Sequence, residues 1–424
     1  RWPCAMRSRI SLFMARAAVA ALSLSVCAPA LSQSAVDLNN AGTEHYNRGD
    51  FLRATTLLER ALDLAPENGT VRRNLCNARQ GLADQHAKEG DIRTALRLTE
   101  SAMEADPSNA SPLIQAGAYY LRLDDVGRAI ERLEKAIVTK PGDLDAHELL
   151  GQAYYRDNDL SSARAQWDYV LEVDPSRPHL RERYDKAFRE ESVESDFNRW
   201  KSRHFRVSYP DDIPDTLRGR VVSILDKAYV DVGRALGGVY PPPPIQAILY
   251  TGGQFSEATQ LGEHVGAVYD GKIRAPMTDP SGNWLPDEEI RRRLVHEYVH
   301  VVVRNITGDK VPWWANEGLA EYLSHSLDQR DRERLRALYG EGRDFRLASL
   351  SPPQLAGKLS PERLKEAYLQ AHATMDLLMT RHGKGKVQLL LMRFAAGDTE
   401  DRALRQVYRK TLETLEEDVR AAYR

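Results

Sequence analysis

At 424 residues the chain is long enough for two or three domains, each with its own core. Its 59 Lys and Arg stand against 61 Asp and Glu, a formal charge of -2, so composition gives no electrostatic case for a nucleic-acid partner. Cys4 and Cys27 fall near the start and Cys76 stands alone after them, which excludes an intramolecular disulfide or a cysteine metal cluster in the remainder.

The sequence opens on Arg1, and Met6 and Met14 are the candidate starts. Arg7, Arg9 and Arg16 precede an apolar run from Ala17 to Val26, followed by Ala28-Pro29-Ala30. Basic, apolar and small residues in that order read as a secretory signal peptide over residues 1–32. The expected address is therefore exported, periplasmic or otherwise extracytoplasmic. The apolar run is too short for a comfortable membrane span, and no later segment is long and apolar enough to serve as one. A lipid anchor on Cys27 fits poorly, because Val26 directly precedes it.

An internal repeat follows. Pro66, Pro107, Pro141 and Pro175 recur at intervals of 41, 34 and 34 residues. Ala54, Ala95, Ala129 and Ala163 each lie twelve residues before one of those prolines, and Ala61, Ala102, Ala136 and Val170 lie five before. Gly42, Ala83, Gly117 and Gly151 lie twelve residues further back. Small residues at these places let two antiparallel helices touch closely, and proline closes each unit. This pattern resembles about four tetratricopeptide repeats, in a domain spanning residues 35–195. The extra seven residues between the first two units lengthen a helix or a loop. The resemblance implies a curved solenoid whose groove binds a protein. Tyr119, Tyr120, Tyr154, Tyr155 and Trp167 either line that groove or, as is commoner at repeat positions, pack between helices.

The charged, helix-favouring segment from Pro178 to Asn198 caps the solenoid. His204 to Tyr209 then alternates as a strand does, a helix is expected from about Asp215 to Leu236, and Ile245 to Tyr250 is a second strand. Val265 to Arg274 reads as strand, tight turn and strand. Pro286-Asp287-Glu288-Glu289 starts a helix with acids at its positive end.

That helix carries His296-Glu297-Tyr298-Val299-His300. Residues four apart lie one above the other, so His296 and His300 can offer two imidazole nitrogens to one ion. Glu297 can then reach a water on that ion without being a ligand itself. Catalytic zinc takes a third protein ligand and keeps a fourth position open. The stretch Trp313-Trp314-Ala315-Asn316-Glu317-Gly318-Leu319-Ala320-Glu321 supplies a candidate, Glu317. Glu321, one turn on, can accept a hydrogen bond from the outer nitrogen of a ligand histidine. Trp313 and Trp314 read as core beneath the site.

HEYVH followed by NEGLAEY resembles the gluzincin metallopeptidases, the class of thermolysin and aminopeptidase N, over residues 200–424. The resemblance implies His296, His300 and Glu317 as zinc ligands, Glu297 as general base and Glu321 as the group orienting His296. Sixteen residues separate His300 from Glu317, slightly fewer than in thermolysin or aminopeptidase N. In that family an edge strand near the metal holds the substrate backbone by strand addition. Gly266, Ala267, Val268 and Tyr269 match it in place, an ordinary hairpin being the alternative. Pro361 opens a later helix, where Tyr368 resembles the aminopeptidase tyrosine that stabilises the oxyanion, and His372 is the rival donor.

The expected fold is mostly α, a tetratricopeptide solenoid followed by an α+β zincin-like domain with a small sheet. The expected function is an exported zinc-dependent metallopeptidase that hydrolyses peptide bonds, the solenoid recruiting a substrate or partner protein. The alternative is a non-catalytic scaffold with a zinc-binding pseudopeptidase domain.

Overall fold

The computed structural model describes residues 34–261, 268–352 and 359–424. The leader expected over residues 1–32 lies outside the described residues, as do Gly266 and Ala267 of the expected substrate strand. No helix among the described residues is long and apolar enough to cross a membrane.

The N-terminal part is a stack of helix pairs: α1 (Ala35–Asn47) with α2 (Phe51–Leu64), α3 (Gly69–Lys88) with α4 (Ile92–Ala105), α5 (Ser111–Arg122) with α6 (Val126–Thr139), and α7 (Leu144–Arg156) with α8 (Leu160–Val173). Helix α9 (Pro178–Glu194) follows and packs on α8. The turn inside each pair is made the same way four times. Gly49, Gly90, Asp124 and Asn158 adopt positive φ, and the next residue is always an aspartate. Asp50, Asp91, Asp125 and Asp159 then cap the second helix by accepting from a backbone N–H three residues on. The repeated small residues sit at the helix crossings. A Cβ on Gly117 would lie 2.5 Å from Leu133 Cγ, so only a hydrogen fits there. The longer first interval is absorbed by α3, which runs 20 residues against 12 in α5. Tyr119, Tyr120 and Trp167 are buried between helices, while Tyr154 and Tyr155 are half-buried and donate to Glu134 and Glu190.

A five-stranded mixed sheet comes next, in the order β1 (Asn198–Lys201), β2 (Phe205–Tyr209), β3 (Ile245–Tyr250), β5 (Ile273–Pro276), β4 (Val268–Tyr269). β2, β3 and β5 run parallel, whereas β1 and β4 pair antiparallel at the two edges. The parallel core of the sheet is covered on both faces, and β3 is accordingly buried throughout. On one face lie α10 (Asp215–Ala235) and α12 (Asp287–Thr307), packed on Phe205, Val207, Ala247 and Leu249. The other face meets α11 (Gly252–Thr259) and α9, so the last helix of the solenoid roofs the sheet.

That roof is polar at its centre. Arg274 on β5 is fully buried and pairs with Glu190 at 2.6 Å and Glu194 at 2.7 Å, both from α9. Lys272, equally buried, donates to Asn158 at 2.7 Å and lies 3.4 Å from Glu190. Tyr250 donates to Glu194, and Asp270 pairs with Lys186 at 2.5 Å. Burial pulls Lys272 down to about 8 against the pull of Glu190, whereas Arg274 holds Asp270 far below the usual carboxylate range despite burial.

The C-terminal helices complete the core: α13 (Trp313–Ser324), α14 (Gln329–Gly340), α15 (Pro361–His382), α16 (Lys384–Ala395), α17 (Glu400–Tyr408) and α18 (Leu412–Tyr423). The span 328–346 is densely charged and yet partly core. Helix α14 shows its charges outward and buries Leu335, Leu338 and Tyr339. A chain so rich in Arg, Asp and Glu hides a narrow apolar stripe that composition does not reveal.

Candidate metal centre

Helix α12 carries three acids in its first turn and is packed almost all round in its second half, where Tyr298, Val299, Val301, Val302 and Val303 are buried. Helix α13 lies across it, anchored by Trp314, which is fully buried and donates to Glu400 at 2.7 Å. The two helices bring His296, His300 and Glu317 together. Glu317 Oε2 lies 3.3 Å from His296 Nε2 and 3.4 Å from His300 Nε2. The outer nitrogens are held as well: His296 Nδ1 lies 3.1 Å from Glu321 Oε1, and His300 Nδ1 lies 3.1 Å from Asn316 Oδ1. Both acceptors hold the Nδ1–H of their ring, which leaves each Nε2, facing Glu317, as the nitrogen available to a metal.

The arrangement fits a divalent transition metal. One nitrogen from each histidine and one oxygen of Glu317 lie within 4.8 Å of one another. Bonds of about 2.0–2.1 Å to a tetrahedral ion set neighbouring donors roughly 3.3 Å apart, close to the two separations seen. The donor set, two imidazoles and one carboxylate, is the one zinc accepts in hydrolytic sites.

Charge at the site follows from burial and from these contacts. Burial alone would lower both imidazoles, but hydrogen bonding and charge from Glu317 outweigh it and raise them, His296 the more because Glu321 adds to the effect. Glu317 would be raised by burial, yet His300 and His296 hold it well below the usual carboxylate range. Glu297 goes the other way. It is 5% exposed, and burial raises its pKa against the pull of His296 and His300. A carboxylate poised upward beside two imidazoles, and not among the clustered donors, suits proton transfer.

A cleft of about 1090 Å³ opens over these residues and is also lined by Val268, Tyr269, Tyr368 and His372. Val268 and Tyr269 form β4, the outermost strand of the sheet on that side, paired only with β5 among the described strands. Tyr368, on α15, packs edge-on against Trp313 at 5.0 Å. Burial, then the charges of Glu317, Glu297 and Glu321, keep its hydroxyl protonated far into the alkaline range. His372 lies one turn along the same helix and lines the same cleft. Its neighbours are His325, at 4.9 Å between rings, and Tyr322. Trp313 and Trp314 are core, beneath the donors.

Asn316 and His325 received no role from the sequence. Asn316 stands immediately before Glu317, and its value as an anchor for His300 appears only when the two helices cross. His325 follows the last residue of α13 and lies 3.4 Å from Glu321 Oε2.

Residues 288–424 match the Peptidase MA superfamily, and residues 114–178 match the tetratricopeptide repeat. Among curated proteins the chain is similar to the anaphase-promoting complex subunit CDC16 of Saccharomyces cerevisiae, 23% identical over 116 residues, which are 27% of this chain and 14% of that protein. It is also similar to the interferon-induced protein with tetratricopeptide repeats 2 of Mus musculus, 31% identical over 97 residues, 23% of this chain and 19% of that protein. The chain thus spans less than a fifth of either relative. Similar solved structures include the first TPR of Spaghetti (RPAP3) bound to an HSP90 peptide, at 20% identity, 27% of this chain, 90% of that one and TM-score 0.26. Another is YrrB, a TPR protein with an unusual peptide-binding site, at 18% identity, 37% of this chain, 77% of that one and TM-score 0.31.

Proposed function

We propose that this chain is an exported zinc-dependent metallopeptidase of the gluzincin type. In this reading residues 200–424 hydrolyse peptide bonds, and the solenoid of residues 35–195 brings in a protein substrate or partner. The observation that carries it is the convergence of two imidazole nitrogens on one Glu317 oxygen, with both outer nitrogens already held by other side chains. The Peptidase MA match over residues 288–424 supports the same reading. The export part rests on the leader-like residues 1–32 alone.

His296, His300 and Glu317 would hold the ion, and the chemistry zinc supplies in such a donor set is Lewis acidity toward a carbonyl and a water molecule. Glu297 takes a proton from the water whose oxygen adds to the scissile carbonyl carbon. It returns that proton to the amine nitrogen as the carbon–nitrogen bond breaks. Tyr368 keeps its proton and donates a hydrogen bond to the carbonyl oxygen as negative charge gathers there. The outer edge of β4, unpaired among the described strands, pairs with the backbone of an extended peptide and brings it across the cleft regardless of side-chain identity. Glu321 and Asn316 are positioning residues, keeping each imidazole in one tautomer and one orientation.

The solenoid is well placed for delivery. Asp124 and Arg156, in the turn after α5 and at the end of α7, lie close enough to Tyr269 on β4 for their charges to act on its hydroxyl.

The purified protein is incubated with an unfolded protein, with and without a chelator. Cleavage that the chelator abolishes and added zinc restores is the expected result. Tight capture of a partner without cleavage would instead favour the scaffold.

A further inference from the structure

Glu321 uses its two carboxylate oxygens in two directions. Oε1 accepts from His296 Nδ1, as described above, while Oε2 lies 3.4 Å from His325 Nε2. A ring nitrogen of His372 completes a second cluster: one donor atom each from Glu321, His325 and His372 lie within 4.8 Å of one another. None of the roles assigned above uses His325 or His372.

The three donors come from two helices by a simple construction. His325 directly follows α13, where the backbone turns extended (φ -158°, ψ 164°), and Ser324 Oγ holds its Nδ1 at 3.1 Å. That leaves its Nε2 for Glu321. His372 arrives from α15, which packs along α13. Its ring stands at 75° to that of His325, so the two imidazoles approach edge to face. His372 is 1% exposed, and its Nε2 has no hydrogen-bond partner. A buried imidazole nitrogen without a partner is rare in folded proteins, and a bound ion is one of the few things that accounts for it.

We propose that Glu321, His325 and His372 form a second site for a divalent transition metal, joined to the His296–His300–Glu317 set through the carboxylate of Glu321. Two imidazoles and one carboxylate select zinc, cobalt, nickel or ferrous iron over calcium and magnesium, which take oxygen-rich sites. Metal–donor bonds of about 2.0–2.1 Å hold donors no more than roughly 4.2 Å apart, a spacing that the 3.4 Å between Glu321 Oε2 and His325 Nε2 already meets. The link makes the two sites interdependent. A cation on Oε2 draws electron density from the carboxylate, which weakens the acceptor at Oε1 and makes His296 a poorer ligand. By reciprocity an ion on the first set weakens the second to the same degree.

The test titrates the metal-free full chain with Co²⁺, read by equilibrium dialysis and by the visible absorption of the bound ion. The expected result is two equivalents for the wild type, the second weaker. His325→Ala and His372→Ala should each bind one, whereas His300→Ala should lose the first set and keep the second. His325 is partly exposed at a helix end, so its replacement leaves the fold intact and circular dichroism verifies this. One equivalent in the wild type, lost in His300→Ala but not in His325→Ala, would overturn the second site and leave the peptidase reading standing. Two equivalents in both His325→Ala and His372→Ala would overturn it equally. One equivalent lost in His325→Ala but kept in His300→Ala would overturn the first set instead.

Discussion

Arg274 is the buried side chain that pairs with two carboxylates of α9 where the solenoid meets the sheet, and Arg274→Met tests its weight there. Met keeps most of the buried stem and removes the charge. Glu190 loses a partner at 2.6 Å and Glu194 one at 2.7 Å, and both are left facing Lys272. With Arg274, the buried group balances three carboxylates (Glu190, Glu194, Asp270) against Arg274, Lys272 and the half-exposed Lys186. Without it, one negative charge is uncompensated in the interior. Breaking a buried pair by removing one partner costs about 3–5 kcal/mol, at about 1.4 kcal/mol for each factor of ten. The loss falls where α9 meets β5, so amide protection in those two elements should drop by roughly two to three and a half powers of ten. Hydrogen exchange read by mass spectrometry reports this element by element, and α1 and α2, far along the solenoid, serve as the internal reference. Zinc affinity should be unchanged, since its donors lie on α12 and α13. Unchanged protection in α9, or an equal fall along the whole chain, would refute the assignment of the junction to this network.

Glu321→Gln keeps the shape of the acceptor facing His296 and removes its charge, so zinc affinity measured by chelator competition should fall about 10–100-fold, with the fold retained. Zinc affinity should also climb with pH well past 6.5. Burial pulls both ligand imidazoles down but Glu317 draws them up further, so each holds a proton that the metal must displace until the pH exceeds the raised value. An affinity already level from pH 6.5 upward would contradict this. Gly318→Ala would set a Cβ 2.3 Å from the backbone oxygen of Ala371, forcing α13 and α15 apart. A loss of about 1–3 kcal/mol in urea unfolding is expected, together with weaker zinc binding because Glu317 is its neighbour.

Much of this architecture is written locally. The proline and alanine spacing marks the solenoid because each repeat solves the same packing problem, and the Asp caps after Gly49, Gly90, Asp124 and Asn158 are a further signal of the same kind. His296 and His300 can be read together because one helical turn joins them. Glu317 is within reach because only a short turn separates its helix from theirs. What the sequence hides is pairing at long range. Lys272 and Arg274 belong to an expected hairpin, and only the packing of α9, 80 residues earlier in the chain, explains why both are buried. Asn316 and His325 are silent for the same reason, since Asn316 meets His300 and His325 meets His372 only when α13 crosses α12 and α15. The apolar stripe of α14 is masked by the charges around it.

The claim at the centre is that Glu297 transfers the proton at a metal held by its neighbours. The most direct test is cleavage of an unfolded protein by Glu297→Gln and by wild type, at equal measured zinc content. The variant is expected to bind zinc as tightly as wild type and to cleave about 10²–10⁴-fold more slowly. Cleavage at the wild-type rate, or loss of zinc from the variant, would contradict it.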